Sequence, residues 1–187
     1  MLDEVLRLTR TGTHKMARDP LITHQHDNDP SALTRFMKDA LLEARKAERI
    51  GEVPVGAVAV AHGEIIGRGH NRSIVTSDPT AHAEILALRQ AAMVLHNYRL
   101  TEVQLFVTIE PCLMCAGACV HARIKGLVFG ARDPKAGAVC SLYRILDDAR
   151  LNHKVEVLEG ILAKQCGSMV QQFFRKKRPQ VKGRTHC

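Results

Sequence analysis

Tryptophan is absent from these 187 residues, and the remaining aromatics are five Phe and two Tyr. A broad single-strand nucleic-acid platform stacks successive bases on rings, so this scarcity excludes one. Any stacking must come from a few Phe, Tyr or His side chains. No apolar run approaches the roughly 18 residues of a membrane span, so no membrane partner is expected. The first residues include Asp3 and Glu4 without a long apolar stretch, which argues against a secretory signal and makes a cytoplasmic protein the expectation. Repeats and low-complexity tracts are missing. Acids are missing from 175–187, where Arg175, Lys176, Lys177, Arg178, Lys182 and Arg184 stand together. Placement matters more here than the net charge of +8. A basic end suits phosphate contacts, although cations at a helix C-terminus also favour the dipole there. An apolar content of 45% is ordinary for a globular core, and the length fits one domain with attachments.

The six Cys, in a chain without a secretory signal, point to thiols and metal ligation over a disulfide framework. Two stretches concentrate the chemistry. Thr80-Ala81-His82-Ala83-Glu84 supplies His-x-Glu, and Glu110-Pro111-Cys112-Leu113-Met114-Cys115 supplies Pro-Cys-x-x-Cys. Together they form the zinc-deaminase pattern, in which one His and two Cys hold zinc and the Glu moves protons without ligating it. Alone, Cys-x-x-Cys also fits a redox pair or half of a structural zinc site, and His-x-Glu is nearly uninformative. His82, Cys112 and Cys115 make three ligands and leave the fourth position of a catalytic zinc for water. Cys119 or His121 could close the site instead, but the placement of Glu84 would then have no use.

Pro111 suits a helix start, which places Cys112 in the first turn, where thiol pKa values fall. Cys115 follows one turn later, and a second helix from Ala81 to Met93 carries His82 and Glu84. Residues two apart do not face one way on a regular helix, so convergence requires the first turn to be aimed at the metal. Zinc brings the pKa of bound water to about 7. The expected reaction is attack of zinc-bound hydroxide on the amine-bearing carbon, with Glu84 passing the proton to a ring nitrogen and helping ammonia leave.

The remaining pattern gives the architecture. Residues 1–30 read as an accessory, flexible arm, with Leu2, Val5, Leu6 and Leu8 able to form a short helix. Ser31 can cap a helix reaching about Ile50, with Leu33, Phe36, Met37, Ala40, Leu41 and Ala44 at helical period. Val55–Ala61 and Glu64–Gly69 read as a hairpin turning at His62-Gly63. Further strands are expected at Leu105–Ile109, Leu127–Gly130 and Val155–Leu158, and helices at Cys112–Ala122, Ser141–Asp147 and Ala163–Lys177. The result is an α/β fold: a three-layer α/β/α arrangement with a mixed five-stranded sheet, of the cytidine-deaminase-like kind. The deaminase domain spans 31–178, and 179–187 is a basic tail.

From about Glu52 to Arg178 the chain resembles the bacterial tRNA-specific adenosine deaminases. The resemblance is carried by Glu52-Val53-Pro54-Val55-Gly56-Ala57, Gly69-His70-Asn71-Arg72, Asp78 through Ile85, Asn97-Tyr98-Arg99-Leu100, Glu110 through Gly117, Phe129-Gly130-Ala131-Arg132-Asp133, Gly160-Ile161-Leu162-Ala163 and Phe173-Phe174-Arg175. It implies conversion of adenosine to inosine at the wobble position of tRNA, usually an arginine tRNA with an ACG anticodon. It implies a homodimer with one zinc ion per subunit, the RNA anticodon stem-loop contacting both subunits. Carried over, His82, Cys112 and Cys115 are ligands and Glu84 is the proton shuttle. Asn71 would hydrogen-bond the flipped base, the backbone at Ala83 would help hold it, and Asp133 and Phe174 would lie beside loop nucleotides. Each of these also has a plain reading. Asn71 could serve a turn, Asp133 could shape a loop before Pro134, and of Phe173 and Phe174 one belongs to the core. Two other functions remain open: deamination of a free base or nucleotide (cytosine, guanine or dCMP), and a non-catalytic RNA-binding subunit with structural zinc.

Overall fold

In the computed structural model, residues 29–177 are described. The expected arm helix near Leu2–Leu8 and the basic tail 179–187 lie outside them. The chain order is α1 (Pro30–Arg49), β1 (Gly56–Ala61), β2 (Glu64–His70), α2 (Ser73–Thr76), α3 (Ala83–Leu95), β3 (Gln104–Ile109), α4 (Leu113–Ala122), β4 (Gly126–Ala131), β5 (Glu156–Glu159) and α5 (Ala163–Lys177).

The strands lie in the order β2-β1-β3-β4-β5, with β1 antiparallel to both β2 and β3, and β3, β4 and β5 mutually parallel. The β1–β2 hairpin turns at His62 and Gly63, with φ of 51° and 78°. Two positive φ values match the right-handed twist of the flanking strands. Alternation along the strands then sets the layers. Ala57, Ala59, Ala61, Leu105, Val107, Leu127 and Phe129 face α3 and α4. Val58, Val60, Phe106 and Val128 face α1 and Cys166 of α5. Burying a side chain such as Phe106 or Leu127 contributes about 1.5–3 kcal/mol. The expected mixed five-stranded α/β/α fold is therefore observed.

The approach of α3 to the sheet is unusually close because the facing residues are small. Ala83, Ala87 and Ala91 are fully buried against Ala57 and Ala59. A Cβ added at Gly69 would lie 2.2 Å from the Ala83 carbonyl oxygen. The N-terminus of α3 is thereby pressed onto the sheet, which fixes where His82 and Glu84 stand.

Some boundaries differ from expectation. Helix α1 begins at Pro30, and Asp29, not Ser31, is its cap: Asp29 Oδ1 accepts the Ser31 amide at 3.3 Å. Proline at the first helical position loses an amide that has no helical partner anyway. Ser141–Asp147 is not a helix; only Ile145–Asp147 forms a 3₁₀ turn. The Ile145 amide, which a helix from Ser141 would pair with the Ser141 carbonyl, donates instead to the Ala138 carbonyl at 3.1 Å. No helix among the described residues is long and apolar enough to cross a membrane.

Candidate active site

His82 and Cys112 sit at cap positions, one residue outside α3 and α4, both with extended backbones (ψ of 153° and 174°). The expected placement of both inside the first helical turn is thus corrected. Each offers its carbonyl to the first helical amide, that of Leu86 at 3.1 Å and that of Ala116 at 2.8 Å. A cap side chain ordinarily binds the free amides of the first turn, yet neither of these does so. Both are left for another partner. The cap position also resolves the spacing of His82 and Glu84, since an extended residue before a helix escapes the helical period.

Cys112 Sγ and Cys115 Sγ stand 3.6 and 3.5 Å from His82 Nδ1, and the three donors lie within 4.8 Å of one another. A tetrahedral zinc, with bonds of about 2.3 Å to sulfur and about 2.0 Å to nitrogen, sets sulfur–nitrogen separations of about 3.6 Å. Donor chemistry and spacing both fit that ion. Cys119, fully buried in the core between α3 and α4, and His121, exposed, stay out of the cluster. Neither supplies a fourth ligand.

The ionisation states suit a cation. A hydrogen bond from the Cys115 thiol, joined by one from His82 and opposed by burial, holds the Cys112 thiol down to about 4. The same shared bond, with burial, pushes Cys115 up. A bound metal would displace the thiol proton between them. Glu84 is 3% exposed, and burial raises its pKa, with its own backbone amide and His82 acting against the shift. Burial thus shifts the carboxyl towards its protonated form.

The remaining expected site residues fall into two groups. Asn71 Oδ1 accepts the Ala83 amide at 3.0 Å, so Asn71 provides the helix cap that His82 withholds. Asp133 and Phe174 line one open groove of about 870 Å³ with Arg132, Lys135, Arg175 and Lys177. Phe173 is buried and Phe174 is 48% exposed, the division expected of neighbours on one helix. Asp133 also shapes its loop, its Oδ1 accepting the Lys135 amide at 2.9 Å.

Three buried carboxylates escaped the sequence reading: Glu43, which pairs with Lys46 at 2.7 Å and His70 at 3.1 Å, Glu52 and Glu110. Glu52 Oε1 accepts the Ile74 and Val75 amides at 2.7 and 2.9 Å, anchoring α2. Glu110 receives hydrogen bonds from Asp133, Val139, Cys140 and Ser141. Burial works against its charge, but the Ser141 hydroxyl and these amides outweigh it and hold the carboxyl below its ordinary range. The available signal was a carboxylate directly before Pro-Cys at the end of a buried strand, where an unsatisfied charge would be costly.

A family model for MafB19-like deaminases matches residues 32–178. The tRNA-specific adenosine deaminase of Haemophilus influenzae is 54% identical over 149 residues, covering 79% of this chain and 86% of its own. The chain belongs to the tRNA-specific adenosine deaminases. A solved structure from studies of A-to-I editing by tRNA:A34 deaminases at the wobble position is 44% identical, with a TM-score of 0.71, covering 73% of this chain and 99% of its own. The guanine deaminase of Nitrosomonas europaea, 24% identical with a TM-score of 0.66 over 75% of this chain and 83% of its own, shares the fold. Hydrolytic deamination at a C–N bond is the chemistry of this family, and the His82, Cys112 and Cys115 cluster is consistent with its metal.

Proposed function

We propose that the chain is a zinc-dependent hydrolase converting adenosine to inosine at the wobble position of tRNA, with an ACG-anticodon arginine tRNA as the expected substrate. It works in the cytoplasm as a homodimer, with one zinc ion per subunit and the anticodon stem-loop spanning both subunits. The observation that carries this reading is the His82, Cys112 and Cys115 triangle with the buried Glu84 carboxyl, which is within hydrogen-bonding reach of Cys115.

Zinc held by His82, Cys112 and Cys115 supplies a Lewis acid that brings the pKa of water to about 7. Glu84 takes one proton from the attacking water and places it on ring nitrogen N1, then carries the remaining proton of the added hydroxyl to the departing amine. The oxygen of water replaces the amino nitrogen at C6, and ammonia leaves. Burial of Glu84 supports this role, because a carboxyl withdrawn from solvent exchanges protons with its neighbours. Asn71, fixed by the Ala83 amide, keeps its side-chain NH₂ for the flipped base, and the Ala83 backbone walls the base pocket. Asp133 and Phe174 sit beside the loop nucleotides. The exposed ring of Phe174 beside four cationic side chains favours a polynucleotide over a free base, since phosphates need cations and bases need a stacking face.

The test is inosine formation in the arginine tRNA beside free adenosine, cytosine and guanine. Inosine in the tRNA alone is expected. Turnover of a free base alone would overturn the substrate assignment.

A further inference from the structure

We propose that Glu110 is a positioning residue that registers the RNA-facing groove to the metal-ligating backbone. The inference rests on the tRNA reading above. Glu110 directly follows β3, two residues before Cys112, and is 3% exposed. Its two oxygens hold different things. Oε1 accepts the amides of Val139, Cys140 and Ser141 at 3.1, 2.7 and 2.8 Å. Oε2 accepts the Asp133 amide at 3.0 Å and the Ser141 hydroxyl. One carboxylate therefore grips both ends of the loop from Asp133 to Ser141.

The middle of that loop is fastened to the ligand segment itself. Gly137 forms a β-bridge with Cys112, and the Ala138 amide donates to the Pro111 carbonyl at 2.8 Å. Gly137 packs so closely on Glu110 that an added Cβ would lie 2.3 Å from its carboxyl carbon. The loop is thus wound around Glu110 and laid against Cys112. Asp133, at the gripped end, lines the groove with Phe174. A short path joins the groove wall to a metal ligand: Asp133 amide to the Glu110 carboxylate, then along the chain through Pro111 to Cys112. A loop serving only to cover the core would not need a buried charge, which is costly unless fully satisfied.

Glu110→Gln separates the two grips. Its amide oxygen can stay on the three Val139–Ser141 amides, while its NH₂ then faces the Asp133 amide, donor against donor. The experiment measures kcat and KM on the anticodon stem-loop of the arginine tRNA, zinc per chain and the melting temperature, for wild type, Glu110→Gln and Ser141→Ala. The expected result for Glu110→Gln is a KM about tenfold higher, the fold-change of one missing hydrogen bond, with kcat changed less than about twofold and zinc still near one per chain. Ser141→Ala, which removes the hydroxyl bonded to Oε2, should move KM the same way by a smaller factor. If Glu110→Gln does not fold, Ser141→Ala carries the test on the same split. An unchanged KM in the folded variants, or a parallel fall of kcat and zinc content, would overturn the positioning role. Failure of the wild type on the stem-loop would instead overturn the tRNA reading, which keeps the two outcomes apart.

Discussion

His82 and Cys112 come within reach of each other because each stands at a helix cap without capping, and Asn71 takes over the duty at Ala83. The Cys112 thiol, a proposed ligand, is held down to about 4 by its Cys115 and His82 neighbours. Cys112→Ser should therefore lose metal, seen as zinc per chain falling from near one towards zero; unchanged stoichiometry would mean the ligands are misassigned. The motif was legible because each residue type carries its own chemistry at short spacing. Glu110 was not, because its partners Asp133 and Ser141 follow 23 and 31 residues later. No local period marks that return.

At the level of elements, legibility followed periodicity. The α1 stripe of Leu33, Phe36, Met37, Ala40, Leu41 and Ala44 is buried as its spacing implies, and the strand alternation of β1 and β3 sorted the two core faces. Helix α2 is too short to show a period and is anchored by Glu52, while Ser141–Asp147 stays irregular because the Ile145 amide turns back to the Ala138 carbonyl. Element packing also makes sharp predictions. Gly69→Ala pushes a Cβ to 2.2 Å from the Ala83 carbonyl, so α3 must shift; a loss of about 1–3 kcal/mol and reduced turnover are expected from melting and activity assays. On α5, Phe173→Ala should cost about 3–5 kcal/mol of stability as a core cavity. Phe174→Ala should leave the melting temperature unchanged but weaken stem-loop binding by about 1–3 kcal/mol, the worth of one stacked base. Equal effects of the two in both assays would contradict their division into core and groove.

At the scale of the whole molecule, positive charge lies on the same side as the exposed ring. Arg132, Lys135, Arg175 and Lys177 line the groove, and Arg178, Lys182 and Arg184 follow in sequence. Removing residues 178–187 should lower the slope of log affinity against log salt by up to about 2, near 0.7 for each single-strand phosphate that is no longer neutralised. An identical slope would assign those residues to solvent. The proposed catalytic centre divides its labour: His82, Cys112 and Cys115 would hold zinc, and Glu84 would move protons without ligating it. Zinc content and inosine formation in the arginine tRNA, measured on the same preparation of Glu84→Ala, test this most directly. The expected result is about one zinc per chain, as in the wild type, a wild-type melting profile and no detectable inosine. Loss of zinc with the carboxylate, or substantial inosine without it, would contradict the assignment.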